Sequence, residues 1–190
     1  MTFKEGATTL CGPLAGASGV VSCKVTLPPG SHTITAVAGD YYTGSAAETV
    51  RVNKPDNTHL VAVSDLKVAA STGAYKADVG TPLAFALEAQ FKKTTPKGLT
   101  EVAYLSGGTV FRISADTFES LAGDGSRVTY RAQADLWDHS RLLRPVKVAD
   151  DATLHVTVSK AKTIAISLWD GDKLLFSLPE QKFGGVVLIK

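Results

Sequence analysis

The feature that most constrains this chain is a period of two in its side chains, repeated from one segment to the next. Val128, Tyr130, Ala132, Ala134 and Leu136 alternate with Arg127, Thr129, Arg131, Gln133 and Asp135. Leu154, Val156 and Val158 alternate with Thr153, His155 and Thr157, and Ile164, Ile166 and Leu168 with Thr163, Ala165 and Ser167. Successive side chains of an extended strand point to opposite faces, so each run predicts a strand with one buried and one wet side. The segments between them are short and rich in Gly, Asp and Pro, such as Gly123-Asp124-Gly125 and Asp170-Gly171-Asp172, which suit tight turns. The fold class that follows is all-β, with antiparallel strands stacked as a sandwich or closed into a flattened barrel.

Strand signals are expected at 59–70, 82–92, 109–115, 126–137, 152–159, 162–169, 173–178 and 186–190, which together make one antiparallel domain over residues 58–190. A second, smaller region precedes it. There Val21, Cys23, Val25 and Leu27 alternate with Ser22, Lys24 and Thr26, and after the turn Pro28-Pro29-Gly30-Ser31 a second strand carries Ile34, Ala36 and Ala38 on one face. Val52-Asn53-Lys54-Pro55-Asp56-Asn57 breaks the rhythm, so a linker is expected at 53–57. Cys11 and Cys23, the only cysteines, flank the turn-rich PLAGASG; they form either a short-loop disulfide or a pair of small reduced hydrophobes.

The chain of 190 residues is 44% hydrophobic, enough for a sizeable core, and carries a net charge of +2. So balanced a charge supplies no field to steer nucleic acid, and no apolar run reaches the roughly 20 residues of a membrane-spanning helix. The opening MTFKEGATT lacks the apolar core of a signal peptide, and a longer parent chain is expected to carry one upstream.

The motifs TFKEGATTLCG, GVVSCKVTLPPGSHTITAVAGD and YYTGS resemble the bacterial immunoglobulin-like repeat of secreted and cell-surface proteins, over about residues 1–52. The similar part begins at that repeat's third strand, which implies a partial sandwich with an apolar trough and an unpaired edge that invites a strand from elsewhere. The same resemblance implies export to the extracellular space or cell surface, and therefore a Cys11–Cys23 disulfide. The ending KTIAISLWDGDKLLFSLPEQKFGGVVLIK is similar to a β-rich module that closes many bacterial secreted repeat proteins, a likeness that brings no activity with it.

Residue types that carry catalysis do not converge. His32, His59, His139 and His155 are dispersed without metal-ligand spacing, and Asp138-His139-Ser140 is consecutive, so its side chains cannot meet at one reacting atom. Neither enzyme activity nor a cofactor is expected. The reading is a non-catalytic structural or adhesive module. Its expected partners are neighbouring β domains of a longer parent chain or strand-donating subunits. The alternative is a carbohydrate-binding accessory module, in which outward Trp169 and Trp137, with Tyr104 and Tyr130, stack on sugar rings.

Overall fold

The computed structural model describes residues 1–14, 21–25, 27, 30–39, 44–52, 58–92, 94–141 and 144–190. The expected linker at 53–57, the turn residues Pro28 and Pro29, and residues 15–19 of the turn-rich PLAGASG lie outside the described residues. The described secondary structure is all-β, and the chain divides into two compact units, Met1–Lys54 and Pro55–Lys190.

The first unit is a single four-stranded antiparallel sheet. Its strands are β1 (Thr2–Glu5), β2 (Thr8–Cys11), β3 (Gly30–Ala38) and β4 (Gly44–Val52), in the order β2-β1-β3-β4. The strand expected over Val21–Leu27 does not form: residues 21–25 and 27 are irregular. The expected hairpin partner, β3, instead has β1 on one edge and β4 on the other. The Cys11–Cys23 disulfide nonetheless forms, with Cα atoms 6.7 Å apart, and ties the irregular segment to the end of β2. Such bonds persist in oxidising, extracellular surroundings.

One face of this sheet gathers most of its larger apolar side chains around a few charged ones. The register places Phe3, Cys11, Ile34, Ala36, Ala46 and Val50 on the same side, together with Glu48 and the hydrogen bond of His32 Nδ1 and Glu5 Oε1 at 2.7 Å. Thr2, Lys4, Thr33, Thr35, Thr49 and Ser45 occupy the other side with Val37 and Ala47. Among the described residues of this unit His32 alone is buried, and every classified residue of β4 is exposed. Reducing the Cys11–Cys23 bridge, which closes a loop with a sequence separation of 12, is expected to cost this unit roughly 3 kcal/mol in the chain-entropy account. Thermal melts with and without reductant check this: the low-stability transition moves down while the transition of the second unit stays in place.

The second unit is a nine-stranded antiparallel sheet. It comprises β5 (His59–Lys67), β6 (Pro82–Lys92), β7 (Thr95–Ser106), β8 (Thr109–Gly123), β9 (Arg127–Asp138), β10 (Val146–Ser159), β11 (Thr163–Asp170), β12 (Lys173–Lys182) and β13 (Val186–Ile189). Strands β5 to β12 run as an up-and-down meander, and β13 returns to the free edge of β5. The sheet curls until its ends meet. Beyond β5 the chain pairs with β12 through Thr72 and Ser177, with further backbone bonds from Ala74 to Leu174 and from Tyr75 to Leu175. From Val63 to Thr72 and from Val186 to Ser177 each side advances nine residues, so β13 and β12 act as one bent strand facing β5 and its continuation. The break in this seam is bridged by side chains: Gly185 N–H donates to Ser64 Oγ, and the Gln181 amide joins both Ala69 N–H and Ala70 C=O. The all-β class expected from the alternation, a sandwich or flattened barrel, is met by this curled nine-stranded sheet, whose ends these bonds join.

The inward residues fill the barrel. Leu60, Leu83, Leu87, Ile113, Tyr130, Leu136, Leu154, Ile164, Ile166, Leu168 and Phe176 are all essentially inaccessible. Tyr104 stacks on Phe176 with ring centroids 4.4 Å apart, and Phe85 meets Phe183 edge-on at 5.1 Å. A bulge in the β11–β12 ladder lets the consecutive Leu175 and Phe176 both face inward. Strand β7 carries no signal in the expected set, since Pro96 and Gly98 interrupt its pattern. Gly98 is needed there because a Cβ would collide with the Glu88 carbonyl of β6 and the Phe118 ring. Its neighbour in the pattern, Thr100, is buried and hydrogen-bonds Tyr130 Oη at 2.6 Å.

Candidate functional site

The site begins with the outward residues of β8 and β9. Ladder pairing sets Arg112 opposite Trp137 and Ser114 opposite Asp135, all four on the wet side of strands whose other side is core. With His139 just past β9 and Pro145 just before β10, they line a cleft of about 360 Å³. That volume lies within the range of small-molecule sites. His139 is held by its own backbone, whose N–H donates to the Val110 carbonyl at 2.9 Å.

The charges around the cleft are paired across strands. Arg112 forks onto Glu101, with Nε and Nη2 at 2.5 and 2.7 Å from the two carboxylate oxygens, and Ser114 Oγ donates to the same group at 2.9 Å. Partial burial raises the Glu101 carboxyl, but the hydrogen bonds from Arg112 and Ser114 and the Arg112 charge outweigh it and hold the group below the usual range. Lys147 Nζ lies 2.9 Å from Asp135, 2.7 Å from Asp150 and 5.1 Å from the Trp137 ring centroid. Hydrogen bonds to Asp135 and then Asp150 raise the Lys147 ammonium above its ordinary value. Asp135, Asp150 and Asp151 bring carboxylate oxygens within 4.8 Å of one another, and Lys147 bridges two of them, offsetting one of the three negative charges.

Arg112 also belongs to a neighbouring trough of about 500 Å³ on the outer face of β5 to β8. Its floor is Ala84, Ala86 and Ala103, with Val63 and Asp65 at one side and Glu101 with Arg112 at the other. Small side chains between larger ones make the depression. Asp65, Ala84, Ala103, Arg112, Trp137 and Lys147 form one continuous row across six strands. At about 4.8 Å per strand step the row is on the order of 24 Å long.

Of the aromatic residues singled out in the sequence, Trp137 and Trp169 point outward, and Trp169 is 37% exposed. They do not form one platform. Through Thr153, Trp169 stands abreast of Gln133, four residues from Trp137 along β9 and two strands away, or about 16 Å in all. Tyr104 and Tyr130 stand elsewhere, 2% and 1% exposed in the barrel interior, and so are unable to stack on an external ring. Burial pushes both phenols well above their ordinary pKa. Arg112, Ser114 and Asp135 were not readable as site residues, because only strand pairing makes them neighbours of Trp137.

The remaining polar motifs are turn chemistry. Asp138 Oδ1 accepts the Ser140 N–H at 2.6 Å, closing a loop around the sequence Asp-His-Ser. Asp124 Oδ1 accepts from Ser126 Oγ, Ser126 N–H and Arg127 N–H, each at 2.8 Å, which holds its carboxyl down to about 2. Gly171 at φ 55° starts the two-residue hairpin between Asp170 and Lys173. Among the described residues no helix is long and apolar enough to cross a membrane. Comparison with protein-family models, curated proteins and solved structures returns no match.

Proposed function

We propose that this chain is a non-catalytic structural module of an exported, surface-displayed protein, and that its N-terminal sheet is completed by a strand-bearing partner. The observation that carries the reading is the single layer formed by the described strands of the first unit. Four strands present Phe3, Ile34, Ala36, Ala46 and Val50 on one face without burying a hydrophobic side chain among the described residues. A sheet with one apolar face is stable when a second layer covers it. Strands β2 and β4 are the outer strands of that sheet, and an outer strand is a template for pairing. The resemblance to the immunoglobulin-like repeat and the disulfide support export.

The second unit supports a presenting role over a spacing one. Its interior is occupied by side chains, whereas eight-stranded barrels that carry a ligand keep that space open. His59 and Lys190 exchange backbone hydrogen bonds at 3.0 and 3.1 Å, so the first and last strands of the unit lie side by side. A module held through adjacent ends adds little length between neighbours. Sedimentation velocity over a concentration series, together with binding of an apolar dye, tests the proposal. Reversible self-association or dye binding that a reductant enhances is expected, and a dye-silent monomer at high concentration removes completion between chains.

A second reading is a carbohydrate-binding accessory module. It is favoured by the outward placement of both tryptophans on the wall of a rigid barrel.

A further inference from the structure

We infer that the cleft beside Trp137 is a sugar-binding subsite, taking one pyranose ring of an uncharged polysaccharide whose chain continues along the alanine-floored trough. The inference develops the carbohydrate reading and rests on it for the class of ligand, but assigns the site to Trp137 and away from Trp169. A pyranose has an apolar face of C–H groups and a rim of hydroxyls, so it needs an aromatic wall flanked by donors and acceptors in one plane. The cleft supplies both: the indole forms one wall, while the outward polar groups of Arg112, Ser114, Asp135 and His139 ring it. Trp169 stands with Thr153 and Leu174 as its ladder neighbours and lines neither the cleft nor the trough.

The electrostatics point to an uncharged ring. Arg112 is committed to Glu101 by two hydrogen bonds and Asp135 to Lys147, so the charges that line the cleft are paired, and the Asp150 and Asp151 carboxylates beside Asp135 disfavour an anionic ring. A paired group of this kind still presents unused donors: the Arg112 Nη1 hydrogens are left over by the two bonds to Glu101. The scaffold is stiff. Both strands that carry the wall are core strands of the barrel, with neighbours on each side, so little ordering accompanies binding.

Length is the third argument. The cleft and the trough share Arg112 and lie on one row across six strands. A polymer of several rings therefore gains contacts that a monosaccharide does not, and the affinity is expected to rise with chain length.

The test is tryptophan emission of the full chain titrated with soluble hexasaccharides of β-1,4-glucose, β-1,4-N-acetylglucosamine, α-1,4-glucose and β-1,4-mannose. At least one is expected to shift the emission below about 10 mM, with an affinity at least about tenfold above that of its monosaccharide. The shift is expected to persist in Trp169→Phe and to vanish in Trp137→Ala. Arg112→Ala, an exposed change that leaves the core alone, is expected to weaken binding by about tenfold, and covers the case in which Trp137→Ala does not fold. If a hexasaccharide binds but its signal depends on Trp169, the accessory-module reading stands and the cleft assignment falls. If none of the four shifts the emission, both fall.

Discussion

Phe176→Ala is expected to lower the stability of the barrel unit by about 3 to 5 kcal/mol, the usual cost of truncating a fully enclosed aromatic ring. Phe176 is 0% exposed, and its ring lies 4.4 Å from that of Tyr104 at an interplanar angle of 26°. The residue is held on β12 by β11 on one side and by the Thr72–Ser177 bridge just beyond it on the other, so the walls cannot easily collapse into the space left. A unit of this size has about 5 to 15 kcal/mol in total, so a loss of that order consumes a large part of it. Denaturant titration followed by tyrosine and tryptophan emission measures the change. Tyr104→Phe is the companion: the Tyr104 hydroxyl is buried without a hydrogen-bond partner, so deleting it is expected to leave stability equal or higher. A loss below about 1 kcal/mol for Phe176→Ala places the ring outside the packed core and contradicts the closed barrel.

The second large effect is expected at the seam. Gly73→Ala should cost about 2 to 5 kcal/mol, from left-handed backbone strain together with the displacement of neighbouring atoms. Gly73 has φ +110°, and a Cβ there would meet the Leu175 carbonyl oxygen at 2.6 Å, its carbon at 2.8 Å and the Phe176 nitrogen at 2.9 Å. All three are backbone atoms, so relief requires β12 to move away from the strand it closes against. Gly80→Ala is the control. It shares a positive φ of +86° but meets only Lys67 Cε at 3.8 Å, so its loss should be confined to the backbone strain, about 1 to 2 kcal/mol. Hydrogen exchange separates the two: amide protection of Tyr75 and Ser177 falls in the Gly73 variant and persists in the Gly80 variant. Equal losses at both glycines would mean that the seam has no close backbone approach.

The difference between what was and was not legible follows from the range of the interactions. Arg127 to Leu136 could be read as a strand because period-two burial is a property of consecutive residues, and Tyr130, Ala132 and Ala134 are buried as that pattern requires. Strand β7 could not, because Gly98 answers to a contact with Glu88 and Phe118 that no local window contains. The same limit explains the first unit. Val21 to Leu27 has the alternation of a strand, yet alternation alone supplies no ladder partner: its described residues are irregular, and β3, the expected partner, pairs with β1 and β4. Outward placement of Trp169 and Trp137 was readable from alternation, whereas their separation and the burial of Tyr104 and Tyr130 depend on which face of which strand meets which.

The sequence by itself determined an all-β chain: each strand's faces are written in the order of its own residues. It also put the two cysteines close enough along the chain to bridge. The tertiary structure alone decided that β13 returns to β5, that the curled sheet closes over a filled interior, and that Arg112, Ser114, Asp135 and Trp137 share one cleft. Pairing between distant strands sets these outcomes. Its free energy depends on register and packing partners far apart in the chain, which no local periodicity encodes.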